Sequence, residues 1–225
     1  RVAPAPALAP DVVLISHLHL DHLHLPSLAR VVGRGDRPTR LLVPRGAAPV
    51  VRRLGSAVDV VEVQPGDHVD VGSSVTVSVT PARHSCRRGP HSRVVADPVG
   101  YVVRGRGQSA YFAGDTDLFP EMRELGPIDL ALLPIWGWGP TLGEGHLDPA
   151  RAAQAVALID PAVVVPIHWG TYSPVRAGRG APDWIDAPLA KFESALTEIG
   201  LVDRLHALPP GASLERSRPS RGWVR

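Results

Sequence analysis

Short apolar runs, rich in β-branched side chains and bounded by Gly, Pro or Asp, recur along the chain and alternate with stretches of helical character. The runs predict strands at 11–16 (DVVLIS), 41–44 (LLVP), 58–63 (VDVVEV), 75–80 (VTVSVT), 100–104 (GYVVR), 109–113 (SAYFA), 130–134 (LALLP), 162–167 (AVVVPI) and 204–208. Helices are expected at 26–32, 47–54, 120–125, 149–159 and 184–199. Pro149 stands where a first-turn proline belongs, with Asp148 as the expected N-cap, and Gly200 is placed to close the last helix. This alternation predicts an α/β protein whose strands are covered on one face by helices. The strands are too numerous for one small sheet, so two stacked sheets are expected. A Pro/Ala-rich lead-in (residues 1–10) precedes the domain at 11–215, and the polar, Arg-rich tail at 216–225 is expected to fray.

At 225 residues the chain has enough length for one domain with a substantial core. With 44% hydrophobic and 20% charged residues, intrinsic disorder is excluded as its overall state. Basic residues barely outnumber acidic ones, for a net charge of +2; Lys191 is the only lysine, and the arginines are scattered in pairs such as Arg52/Arg53 and Arg87/Arg88. No run of like charge marks a dedicated nucleic-acid binder. Cys86 stands alone, so no internal disulfide forms. No apolar run approaches the roughly 18–20 residues of a transmembrane segment, and the opening lacks the pattern of a signal peptide. A reducing, cytoplasmic setting is the expectation.

Chemistry concentrates in residues 16–22, SHLHLDH, directly after the buried run DVVLIS. Three imidazoles and a carboxylate, His17, His19, Asp21 and His22, cannot all enter an apolar core without partners. A helix would split them between faces, whereas an extended turn lets alternate residues address one centre and the others a second. Imidazole and carboxylate are ligands of Zn²⁺; the plainer alternative is a run of surface histidines. His84, Asp115 and His168 each follow a further predicted strand, which brings four strand ends to one edge, where loops of α/β folds gather ligands.

These residues carry a resemblance. VLISHLHLDH (13–22), YFAGDTD (111–117), DLALLPIWGW (129–138), GHLDPARAAQAV (145–156) and VVVPIHWGTY (163–172) are similar, in this order, to blocks of the metallo-β-lactamase superfamily. The likeness is to the branch containing N-acyl-phosphatidylethanolamine phospholipase D and the ascorbate-6-phosphate lactonases. It implies a four-layer αββα sandwich with two zinc ions per chain. His17, His19 and His84 would hold the first metal, Asp21, His22 and His168 the second, with Asp115 bridging them. A histidine at 19 rather than a glutamate favours zinc over the di-iron relatives. Relatives carry several strands before the first motif, whereas sixteen residues precede His17 here, so the fold is expected to lack N-terminal strands.

The resemblance implies a hydrolase in which a metal-bridging hydroxide cleaves a phosphodiester or a lactone-type ester. Asp21 and Asp115 would fix the second metal and orient the hydroxide. His146 is read as contacting the scissile oxygen or protonating the leaving group, against a helix-cap role beside Asp148. Trp136, Trp138 and Tyr172 are the candidate apolar wall for a small-molecule or lipid-like substrate; Trp169 is divided between that role and core packing. Arg83, Arg87, Arg88 and Arg93 surround His84, either as a solvated basic loop or as an attractor for phosphate. Cys86 reads as a structural thiol. The contrasting expectation is a non-catalytic metal-binding or interaction module with an incomplete fold.

Overall fold

Leu41, Leu42 and Val43 are consecutive, and all three are fully buried. Neighbouring residues of a strand face opposite ways, so this strand has to be covered on both sides. In the computed structural model, which describes residues 9–72, 74–89, 91–137, 140–170, 183–209, 211–216 and 223–224, it is β2 (Thr39–Pro44), the middle of a parallel sheet with β1 (Val12–Leu14) and β3 (Val58–Val63). A second sheet is ordered β4 (His68–Asp70), β5 (Val75–Pro81), β6 (Val99–Gly105), β7 (Gln108–Phe112), β8 (Leu130–Pro134) and β9 (Val163–Ile167). Its strands are antiparallel from β4 to β7 and parallel from β7 to β9.

Three apolar layers follow from the alternation of side chains. Leu42 and Val63 meet Val77, Val79, Val99 and Tyr101 between the sheets. Leu41 and Val43 face the other way, toward Leu28 of α1 (Leu25–Leu28) and Val50 and Val51 of α2 (Ala48–Val51). Val102 and Tyr111, next in sequence to interface residues Tyr101 and Phe112, pack with Ala152 and Val156 of α3 (Pro149–Ile159) and with Phe192 and Leu196 of α4 (Asp183–Glu198). The result is the four-layer αββα sandwich.

α3 matches its expected span; the Asp148 carboxylate accepts the Arg151 N–H at 2.8 Å with Pro149 in the first turn. The helices expected at 26–32 and 47–54 are four residues each, the second continuing as a 3₁₀ stretch to Ala57, and 120–125 is 3₁₀ rather than α. The strand expected at 204–208 is absent; only Leu205 makes a bridge, to Val164. β4 was not anticipated. Of the tail expected at 216–225, Arg216, Trp223 and Val224 are described: β10 (Glu215–Arg216) pairs antiparallel with β11 (Trp223–Val224). Among the described residues, no helix is long and apolar enough to cross a membrane.

The topology fixes where the chemistry gathers. β5, β7, β8 and β9 run in one direction and end at one edge of the large sheet. β1 ends there too: the Val99 N–H, where β6 begins opposite the end of β5, donates to Ser16 O at 2.9 Å.

Candidate metal centre

Beyond β1 the chain turns tightly, with His22 N–H and Leu23 N–H both donating to His19 O at 3.1 and 2.8 Å. The side chains of Leu18 and Leu23 are buried under the small sheet's helical layer. That anchoring turns His19, Asp21 and His22 toward the common edge, beside the fully buried His17. His84 arrives after β5, Asp115 after β7 and His168 after β9. His168 holds a left-handed backbone, φ 57°, a strain of about 1–3 kcal/mol for a residue other than glycine.

The side chains converge in two groups. His19 Nδ1 is 3.1 Å from His17 Nε2 and 3.0 Å from His84 Nε2. Asp21 Oδ2 is 3.6 Å from His22 Nε2 and 3.5 Å from His168 Nε2. Asp115 Oδ2 lies between them, 3.2 Å from His22 Nε2, 3.3 Å from His168 Nε2, 3.8 Å from His17 Nε2 and 3.9 Å from His84 Nε2. His146 approaches the same oxygen, its Nε2 at 3.7 Å.

The donor set fits a divalent cation. Two ligands each about 2.0–2.1 Å from a tetrahedral ion lie about 3.3–3.4 Å from one another, close to the spacings found. Proton positions point the same way. His84 Nδ1 and His168 Nδ1 face the carbonyls of Gly145 and Trp136 at 2.8 and 3.2 Å. A carbonyl only accepts, so the neutral rings carry their protons there. The Nε2 lone pair of a neutral His168 therefore points at two carboxylate oxygens, an arrangement that calls for a cation. Asp115 Oδ1 is buried with no hydrogen-bond partner.

Burial keeps three of the imidazoles neutral and ready as ligands. Burial, then the neighbouring His22, takes His17 down to about 2, and burial takes His84 down to about 4 against the pull of Asp115. His19 is lowered by burial as well. Burial works against ionisation of Asp21, but the approach of His168 at 3.5 Å and the charge of His22 outweigh it and bring the carboxyl down to about 2. Asp115 is likewise lowered, against its burial, by His22 and His168. His168 is raised: the carboxylates of Asp21 and Asp115, 3.5 and 3.3 Å from Nε2, overcome its burial and favour the protonated ring until a cation takes that place.

Of the remaining candidates, His146 reaches the site, while its Nδ1 faces the carbonyls of Gly143 and Glu144, both at 3.2 Å. Trp136 orients His168 through its carbonyl, and its side chain helps line an open cavity of about 540 Å³ between α3 and α4 that also includes Lys191. Trp138 and Tyr172 lie outside the described residues. Trp169 packs against the core and donates to Pro166 O. The basic loop divides: Arg83 pairs with Glu121 at 3.5 Å, Arg88 turns inward onto backbone carbonyls, and Arg87 and Arg93 are exposed. Arg83 and Arg88 thus have partners other than a phosphate.

Some contributors left little trace in the sequence. The carbonyls of Gly145 and Trp136 orient two rings, and a carbonyl has no residue signature. Gly145 itself is required: φ is 78°, and a Cβ would come within 3.0 Å of His84 Cα. Gly114, φ 63°, likewise packs on Ser16, where a Cβ would meet the Ser16 Cβ at 2.6 Å. Thr116 joins two ligand loops, its hydroxyl accepting the Arg83 N–H at 2.9 Å.

Stacked sheets with helices on both outer faces, and a His/Asp cage where the strands end, define the metallo-β-lactamase class of fold. The chain belongs to the β-lactamase superfamily domain family, whose model matches residues 1–169. A UPF0173 metal-dependent hydrolase of Methanopyrus kandleri is 34% identical over 212 residues, covering 92% of this chain and 83% of its own length. The solved structure of Igni18, a metallo hydrolase of Ignicoccus hospitalis, has TM-score 0.66 and 27% identity over 91% of this chain and 78% of its own. CmlA, a diiron β-hydroxylase of Streptomyces venezuelae, shares the fold at TM-score 0.66 and 20% identity, over 91% of this chain and 44% of its own.

Proposed function

We propose that the chain is a hydrolase that uses two zinc ions to attack a phosphodiester or a lactone-type ester with hydroxide. One observation carries this reading: Asp115 Oδ2 stands within 3.9 Å of imidazoles from both ligand groups, so one carboxylate serves two cation positions. His17, His19 and His84 would hold one ion, and Asp21, His22 and His168 the other. An all-imidazole and carboxylate set suits zinc, with no thiolate among the ligands. Bound zinc supplies positive charge for the attacked oxygen and makes hydroxide available near neutral pH.

The chain's own groups do the rest. Asp115, whose Oδ2 faces both ligand groups, would orient the attacking hydroxide together with Asp21. His146, with Nδ1 directed at carbonyls, donates from Nε2 only as the doubly protonated ring, the form that protonates a leaving oxygen. Trp136, Trp138 and Tyr172 are proposed, from the sequence, as the apolar side for a small-molecule or lipid-like substrate. Placement in the phospholipase D and lactonase branch rests on the blocks at 145–156 and 163–172, and a cytoplasmic setting on the solitary cysteine.

Metal analysis and turnover test the reading together. About two zinc ions per chain, with hydrolysis of bis-p-nitrophenyl phosphate or of a simple lactone, support it, and the preferred substrate separates the two chemistries. No bound metal overturns it. Two zinc ions with no turnover of either substrate class leave a non-catalytic metal-binding module instead. A His146→Ala variant keeping both ions and full turnover removes the acid role.

A further inference from the structure

The chain that leaves His84 sends one side chain back toward the other ligands. Arg88 Nη1 donates to Leu18 O at 2.9 Å and Nη2 to Leu23 O at 3.1 Å. These carbonyls bracket the turn that bears His19, Asp21 and His22, and they belong to residues whose side chains are only 1% exposed. We propose that Arg88 is a positioning residue, whose two-pronged grip fixes the ligand turn at the spacing the two cations require. The proposal rests on the two-metal reading of the site.

Three features support the assignment. Five donors in a rigid fork let a guanidinium bridge two carbonyls at once, which an ammonium on a flexible stem does not reproduce. The turn's internal bonds converge on His19 O, so they leave the carbonyls at its two ends for another donor. Arg88 is itself held: Ala96 N–H donates to Cys86 O at 3.0 Å, and Arg87 forms a bridge with Val95. A single residue therefore ties the loop of His84 to the loop of four other ligands. Burial, and then the charge of Arg53, lower its pKa, but an arginine keeps its proton.

The test compares the parent chain with Arg88→Ala and Arg88→Lys, measuring Zn²⁺ affinity by competition with a chromophoric chelator and the visible spectrum of the Co²⁺-loaded chain. Groups that orient metal ligands typically contribute 10–100-fold to metal affinity. A loss on that order is expected for Arg88→Ala, with an altered Co²⁺ spectrum, partial recovery on adding guanidinium ion, and a smaller loss for Arg88→Lys. Zinc affinity within twofold of the parent in Arg88→Ala overturns the proposal. So does a weakened affinity that tracks collapse of the far-ultraviolet circular dichroism without guanidinium rescue, which marks a purely structural role. If Arg88→Ala fails to fold, parental affinity in Arg88→Lys overturns it. A parent chain that binds no Zn²⁺ overturns the two-metal reading itself, a distinguishable result.

Discussion

Four of the candidate ligand imidazoles are tuned by their surroundings, and the tuning has a pH signature. His17 falls to about 2 and His84 to about 4 on folding, from an ordinary 6.5. Below pH 6.5 the unfolded chain therefore binds more protons, and the metal-free protein loses stability as pH falls from about 6.5 toward 4. His19 adds to this trend. His168 runs the other way: its raised pKa gives a contribution complete below 6.5 and lost as pH climbs through the folded value. Asp21 adds stability present above its ordinary 3.8 and lost below that, as pH falls toward 2. The lowered rings outnumber the raised one, so the chelator-treated chain should melt several degrees lower at pH 5 than at pH 7. A flat or rising profile would contradict the assignment. At Gly145 the expectation is steric. Gly145→Ala pushes a Cβ against His84 and forces a left-handed alanine, at a cost of about 1–2 kcal/mol. A urea titration checks this, and zinc affinity should fall with it. His17, His19, Asp21 and His22 were legible because they crowd into six positions after an apolar run. The tie from Gly145 O to His84 was not, since nothing in a glycine announces that its carbonyl will meet a ring from a loop 61 residues away.

Among elements, β6 does more than fill the sheet. The Tyr101 hydroxyl donates to Ile15 O at 2.7 Å, across the seam between the two sheets and two residues before His17. Tyr101→Phe leaves that carbonyl buried without its partner, a loss of about 1–3 kcal/mol. Thermal melting should show the loss, whereas a change within experimental error would mean that the carbonyl finds another donor. The start of α3 was readable because it is local chemistry, Asp148 capping and Pro149 opening, whereas its close on a left-handed Asp160 is a finding of the structure. β4 was not readable, because His68–Asp70 has one apolar side chain and becomes a strand only by pairing with β5. Residues 204–208 err in the opposite direction: a strand-like run next to β9 makes one bridge, with His206 N–H donating to Val164 O at 2.9 Å, and no ladder follows.

At the scale of the whole molecule, the stacking of two sheets followed from counting strands, and the resemblance supplied the four layers. What periodicity alone could not assign was which helix covers which sheet, because that depends on packing between distant parts of the chain, such as Leu41 and Val51 in one apolar layer and Tyr111 and Phe192 in another. The candidate ligands come from both sheets: His17, His19, Asp21 and His22 from the small one, and His84, Asp115 and His168 from the large one. Stripping the metal with a chelator should therefore lower the melting temperature by more than 10 °C at saturating zinc, since a ligand bound only by the folded state stabilises by mass action. Calorimetry with and without chelator measures it, and an unchanged midpoint would show that the cage adds nothing to the fold. The seam between the sheets is otherwise an apolar layer tied by the Tyr101 hydroxyl and by the Val99 N–H on Ser16 O, so a filled cage would act as a rivet through both plates. With the rivet in place the halves must come apart together, in a single sharp transition; once it is drawn, each plate can loosen on its own and the transition should broaden.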